Sequence, residues 1–339
     1  MKKYYPILLS KAGEATALQH LTPNVKNDIC PVIEMLPTRI TAITQFLTRH
    51  WNFNGNEVVI DFSWYEDFST QSIREIRLFL NTLFKAGVNV IPAIQKNSPL
   101  NYSNLVSALL AAHQCKLCIR TSNQSGGFLN YNQDINDIIT LVNTTPGNTI
   151  LLLDLGYAEN HNHAMLATIA GMSINALKPT KNHWSDIVVA ASSFPANLAG
   201  LAPRQAPHRL RRFEWDIWQA LHITLPNIKY GDFGTKYPFY SNAPFPGTIS
   251  VKYTVTDEFV IYRGELTDHH ADGHGQYITH AQRLVRSADY SGINFSWGDL
   301  QINSIANENV ADANRRTGNP STWVQFSQNH HITLLHNLL

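Results

Sequence analysis

Eight short apolar runs, separated by helix-length stretches, constrain what this chain can fold into more than any other feature. They fall at residues 4–9 (YYPILL), 30–35 (CPVIEM), 57–62 (EVVIDF), 88–94 (VNVIPAI), 116–121 (KLCIRT), 149–155 (TILLLDL), 186–192 (DIVVAAS) and 228–233 (IKYGDF). The runs are continuous rather than alternating, the pattern of strands covered on both faces. The stretches between them carry apolar residues at helical spacing; residues 72–87 end on Gly87, which suits a helix C-terminus. A strict strand–helix alternation implies parallel pairing through right-handed crossovers. Eight such strands predict closure into an α/β (β/α)8 barrel of the TIM type over residues 1–240. An open doubly wound sheet is the alternative, but no G-x-G-x-x-G follows the first strand.

Past residue 240 the rhythm changes. Residues 248–264 predict a β-hairpin about a Thr-Asp-Glu turn. Helices are predicted from residue 275 or so and from Trp297–Asp299, residues 314–322 read as a loop, and residues 330–339 as a strand or a helix. Residues 209–215 (RLRRFEW) read as a basic helix start. Residues 241–339 are thus expected as a hairpin-plus-helix appendage packed on the barrel in one compact unit. Of the 339 residues 44% are hydrophobic and 15% charged, enough for a large core, and the net charge of +1 argues against a generally basic nucleic-acid binder. The short apolar run near the N-terminus is no signal-peptide core, and no segment reaches membrane-spanning length, so a cytoplasmic protein is expected.

Active sites of such barrels are built from residues at the C-terminal strand ends. Those ends carry Glu34, Asp61, Gln95, Arg120, Asp154, Ser193 and Asp232, with Lys11 and Glu14 just after the first strand. Lys11 and Arg120 suit a phosphate or carboxylate. Glu34, Asp61, Asp154 and Asp232 suit general acid–base work or, together, Mg2+. Lys252 and Arg263, one on each hairpin strand, add positive charge. Against this stands ion pairing among the same groups, and an Asp after a strand is commonly a cap or turn residue. Ser193 lies in no G-x-S-x-G elbow. Trp297 and Trp323 suit base stacking or, more commonly, core packing. Cys115 and Cys118 form a C-x-x-C with no second pair to complete a zinc set. The histidine-rich stretch 268–280 (DHHADGHGQYITH) lacks helical i, i+4 pairing and reads as a solvated loop entering a helix.

Across KAGE (11–14), CPVIEM (30–35), YGDFGT (230–235), SVKYT and FVIYRG (250–264), GQYITHAQRLV (275–285), YSGINFSWGD (290–299) and STWVQFSQNHHITL (321–334), the chain resembles the beta protein family of T-even-type phages and scattered bacteria. The resemblance runs from residue 4 to the C-terminus and implies one compact unit with no established reaction. A related bacterial group, sharing the opening strand and Pro-x-Ile-Glu, is associated with phage–host conflict. The family pattern singles out Lys11, Glu14, Glu34, Asp232, Arg263, Gln276, Trp297, Asp299, His330 and His331. In the loop it begins at Gly275-Gln276, not at the histidines.

The leading expectation is therefore a phosphorylated or nucleotide-like ligand at the barrel mouth, with phosphodiester hydrolysis as the reaction class. Lys11, Arg120, Lys252 and Arg263 would hold the anion, aided by Gln276, Trp297, Asp299 and His330. Glu34, Asp61 and Asp232 would serve as acid, base or Mg2+ groups, and His331 as a proton-transfer residue. The alternative is a non-enzymatic protein acting by contact with a host, phage or defence-system protein. Homo-oligomerisation fits either.

Overall fold

A computed structural model describes residues 2–52, 55–122, 131–177, 183–204, 206–241 and 248–339. In chain order its strands and α-helices are β1 (Tyr4–Leu9), α1 (Ala12–Gln19), α2 (Pro23–Asp28), β2 (Val32–Glu34), α3 (Ile40–Phe46), β3 (Glu57–Asp61), α4 (Thr70–Lys85), β4 (Asn89–Ile94), α5 (Leu100–His113), β5 (Leu117–Ser122), α6 (Tyr131–Val142), β6 (Thr149–Tyr157) and α7 (His163–Ala176). There follow β7 (Asp186–Ser192), β8 (His208–Arg211), α8 (Phe213–Thr224), β9 (Lys229–Asp232), β10 (Thr248–Thr254), β11 (Glu258–Leu266), α9 (Gln276–Val285), α10 (Trp297–Ala306) and α11 (Pro320–Leu338).

Eight parallel strands close a barrel in the order β1-β2-β3-β4-β5-β6-β7-β9. All eight apolar runs of the sequence are barrel strands. Because β1 pairs with both β2 and β9, the sheet has no open edge and the doubly wound alternative is set aside. Side chains alternate in and out along each strand. Ile7, Val32, Val59, Cys118, Ile150 and Val188 point inward and pack together. Gly231 makes room for them: a Cβ there would lie 2.9 Å from the Cβ of Ala190. Gly87, just past α4, adopts φ +77°, the left-handed conformation expected of a C-terminal glycine.

The chain divides into two compact units. The first, Met1–Ser10, Asn27–Ser193 and Phe213–Phe233, holds the barrel. The second is Lys11–Lys26, Phe194–Arg212 and Gly234–Leu339. Its centre is an antiparallel sheet of order β10-β11-β8. One face, with Val251, Tyr253 and Val260, packs on Ile278, Ile302 and Phe326 of α9, α10 and α11. On the other face, Phe259 and Ile261 pack on Phe194. Helix α1 lies against α11 so closely that a Cβ on Gly13 would meet Val324 Cγ1 at 3.0 Å.

Two expectations change. Residues 209–211 are not a helix start: they belong to β8, paired with β11 in the register Val260↔Arg209, and α8 begins at Phe213. Arg209 is drawn into the sheet by Glu258 (2.6 Å) and Asp289 (2.7 Å), partners far along the chain. The loop read over residues 314–322 ends early: Asn319 caps a helix that starts at Pro320 and runs through 330–338, the helical of the two forms expected there.

Candidate functional site

Two residues beyond the inward-facing Val32, Val59, Cys118 and Leu152 come Glu34, Asp61, Arg120 and Asp154. Strand periodicity therefore turns all four into the barrel at its C-terminal end. There Arg120 Nη1 donates to Glu34 Oε1 (2.9 Å) and Asp61 Oδ2 (2.5 Å), while Nη2 and Nε donate to Asp154 Oδ2 (2.7 and 3.1 Å). The Phe233 ring centroid lies 5.8 Å from the guanidinium. None of the four charged groups is more than 5% exposed. Burial disfavours the charge on Arg120, but Asp154, Glu34 and Asp61 outweigh it and hold the guanidinium well above its ordinary value. Burial also raises the Asp61 carboxyl, against the opposing pull of Arg120.

The sequence-predicted mouth residues thus meet, but they meet each other. Arg120 directs its donors at three carboxylates and is not turned toward an incoming anion. Glu34, Asp61 and Asp154 converge on the guanidinium rather than on a common centre for Mg2+. Among the described residues no group of three or more His, Cys, Asp or Glu is placed to hold a metal ion. Asp232 is set apart by the same periodicity: Gly231 and Phe233 face the interior, whereas Asp232 shares the outer face with Tyr230 and accepts a hydrogen bond from Tyr4 Oη at 2.6 Å. Ser193 donates to the Glu214 carboxylate, which also accepts from the Ser193 amide (3.1 Å). Cys118 faces the barrel interior and Cys115 does not share its surroundings, so the C-x-x-C is two free thiols.

In the second unit the distal motif residues form a closed polar network. Asp299 accepts from Tyr253 Oη (2.7 Å) at one oxygen and from Ser296 Oγ (2.6 Å) at the other, which also contacts His330 Nδ1 (2.8 Å). His330 Nε2 bonds the Thr254 carbonyl (2.8 Å), so that nitrogen carries a hydrogen. His331 Nδ1 meets Thr254 Oγ1 at 2.9 Å. Asp299, His330 and His331 are all 0% exposed. Trp297 stacks on His20 at 4.1 Å and Trp323 on Tyr277 at 4.9 Å. Gln276 clamps the turn ahead of α9, accepting from the Glu265 amide and donating to the Gly273 carbonyl. His269 and His274 are exposed on the preceding loop. These contacts place Gln276, Asp299, His330 and His331 inside the unit, with Trp297 partly buried at its edge.

A different set stays underused. Arg263 is 8% exposed, yet among the described residues it has no hydrogen-bond acceptor or ion-pair partner, and its Nε is buried unsatisfied. Burial lowers its affinity for its proton. In the β10–β11 register Ser250 lies opposite Arg263 and Lys252 opposite Ile261, which puts Lys252 and Arg263 on one face as diagonal neighbours. Lys252 Nζ donates to the Thr235 carbonyl (3.2 Å) and lies 4.3 Å from the Phe194 ring centroid. Burial, reinforced by Arg263 and opposed by Glu14, brings Lys252 down to about 8. Glu14 itself, 6% exposed, is raised by burial against the pull of Lys236, Lys11 and Lys252. Lys11 lies over the Tyr240 ring at 4.7 Å. Of these, Lys236 and Phe194 went unnoticed in the sequence; the only signal was the position of Lys236 directly after the YGDFGT run.

The family described as Beta protein matches residues 4–336. The chain belongs to the Beta protein family. It is 23% identical over 345 residues to Protein beta of Enterobacteria phage P4, covering 97% of this chain and 91% of that one. The family motifs named from sequence divide between the two settings: FSWGD and NHH contribute to the buried network, whereas Lys252 and Arg263 share one face of the hairpin, with Glu14 coupled electrostatically to Lys252 and Lys11. No helix among the described residues is long and apolar enough to cross a membrane.

Proposed function

We propose that this Beta-family protein binds a phosphorylated or nucleotide-like anion on the cationic face of its second unit, through Arg263 and Lys252 with Lys11 and Lys236 adding positive charge. Arg263 carries the reading. An arginine removed from water costs free energy unless an anion answers it, and no carboxylate in the described chain does. Its planar fork suits a phosphate bidentately, and the neighbouring lysines raise the local potential. The reading stops at binding. Glu34 and Asp61 are engaged by Arg120 and Asp232 by Tyr4, so they supply no free acid–base pair for phosphodiester hydrolysis.

Thermal shift and calorimetric titration with inorganic phosphate, tripolyphosphate, ATP and adenosine test the proposal. Phosphate-bearing compounds should raise Tm and adenosine should not. Arg263→Ala should weaken binding by roughly a hundredfold, the scale of losing a charge-assisted bidentate contact. Indifference of the wild-type protein to every phosphate compound would overturn it.

A further inference from the structure

We propose that Lys252 is a reactive amine that forms an imine with the carbonyl carbon of an anionic aldehyde or ketone. Its surroundings differ from those of an ordinary structural lysine. Among the described residues no carboxylate lies within ion-pair distance of Nζ; it sits by a backbone carbonyl and the Phe194 ring, with Arg263 diagonal to it across the hairpin. A hydrophobic wall and a second cation both favour the neutral amine, whose lone pair is the nucleophile. The downward shift to about 8 accords with this. Lys252 as a residue is partly buried, and labelling reads directly whether a small carbonyl compound reaches its amine. Glu14, electrostatically coupled to Lys252 and raised by burial, is the complementary group, a carboxyl that tends to keep its proton.

The chemistry closes without an outside reagent. The amine lone pair attacks the carbonyl carbon, and the carbonyl oxygen takes a proton to give a carbinolamine. The proton taken by the oxygen is the one nitrogen sheds on attack. Glu14 then protonates the hydroxyl, which leaves as water while nitrogen forms the C=N bond and returns its remaining proton to the Glu14 carboxylate. Hydrolysis reverses each step. The substrate class follows from the neighbours: an anionic group for Arg263 and a carbonyl within reach of Lys252. Only that choice of substrate rests on the anion-binding proposal above; the reactivity of the amine stands on its own neighbours.

Pyridoxal 5′-phosphate, an aldehyde that carries a phosphate, and pyridoxal, which lacks it, are the probes. Full-length protein is incubated with each from pH 6.5 to 10, reduced with borohydride and mapped by peptide mass spectrometry. Lys252 should be labelled at least about tenfold more than Lys116 at pH 7, because Lys116 is held in an ion pair with Glu57 and Lys252 has no carboxylate partner among the described residues. Its labelling should rise with a midpoint near 8. In Lys252→Arg, which keeps the charge, the preferential adduct should vanish while the rest of the labelling pattern persists. In Glu14→Gln the adduct should form more slowly with the site otherwise intact. Labelling of Lys252 no faster than that of Lys116 would overturn the inference, even if phosphate still raised Tm. Equal labelling by pyridoxal and its phosphate would leave the reactive amine standing and count against the anion-binding reading.

Discussion

Replacing Arg120 with methionine would strand the Glu34, Asp61 and Asp154 carboxylates inside the barrel with no counter-charge. Breaking a buried ion cluster at one partner costs about 3–5 kcal/mol, so Arg120→Met should lower unfolding free energy by that amount in urea titration. His280 makes the opposite case. It is 4% exposed, and neither ring nitrogen has a hydrogen-bond partner among the described residues. Burial, with smaller contributions from Arg283 and His270, lowers it from 6.5 to about 4. Between those values the folded state binds fewer protons than the unfolded chain, so stability is full above about pH 6.5 and falls as the pH drops toward 4. The loss on reaching pH 4 is about 3 kcal/mol. His280→Leu should remove that part of the acid slope and leave stability at pH 7 unchanged or higher, since it deletes two unsatisfied polar atoms. Denaturant titrations of both proteins at pH 4.5, 5.5 and 7 check this; parallel slopes would contradict it.

At the level of elements, the FSWGD motif is a helix start built for close packing. Ser296 caps α10 by accepting the Asp299 amide, and Gly298 lets α10 approach α11 until backbone meets backbone. A Cβ on Gly298 would lie 2.3 Å from the Phe326 carbonyl oxygen. Gly298→Ala should therefore cost at least about 1–3 kcal/mol, the range for overpacking, and Ser296→Ala about 1 kcal/mol for the lost cap and its hydrogen bond to Asp299. Equilibrium unfolding of the two variants orders the effects. The sequence announced the helix but not its function. A Ser-x-x-Asp start and a final helix with two adjacent histidines are local patterns, whereas the Asp299–His330 pair joins residues 31 apart. Barrel strands were legible because each buried both faces and wrote a continuous apolar run. β8 was not, because His208–Arg211 has no apolar run of its own and is a strand only opposite β11. The same distinction separates the two charged clusters. Strand ends could be read as converging, with ion pairing among them as one outcome, but not that Arg263 would have no acceptor among the described residues.

For the whole molecule, the barrel strands are finished by Asp232, yet the second unit reaches back to take Lys11–Lys26 and Phe194–Arg212. A cut after residue 240, where the hydrophobic rhythm of the sequence changes, therefore does not separate two self-sufficient pieces. A 1–240 fragment keeps every barrel strand but leaves α1 without α11 and β8 without β11. Gly13, shaped for contact with Val324, and Leu210, packed beside Phe259 and Ile261, would face water. The complementary 234–339 fragment loses the outer strand of its sheet and the helix that lies on α11. Such interrupted cores are expected to give compact states with exposed apolar surface rather than native packing. Each fragment alone should bind 1-anilinonaphthalene-8-sulfonate and show weak near-ultraviolet circular dichroism. Mixing the two should restore the near-ultraviolet signal and suppress dye binding, because every missing partner is then supplied. A 1–240 fragment with a sharp cooperative melt and no dye binding would mean that the barrel unit tolerates the loss of everything α1 and β8 pack against.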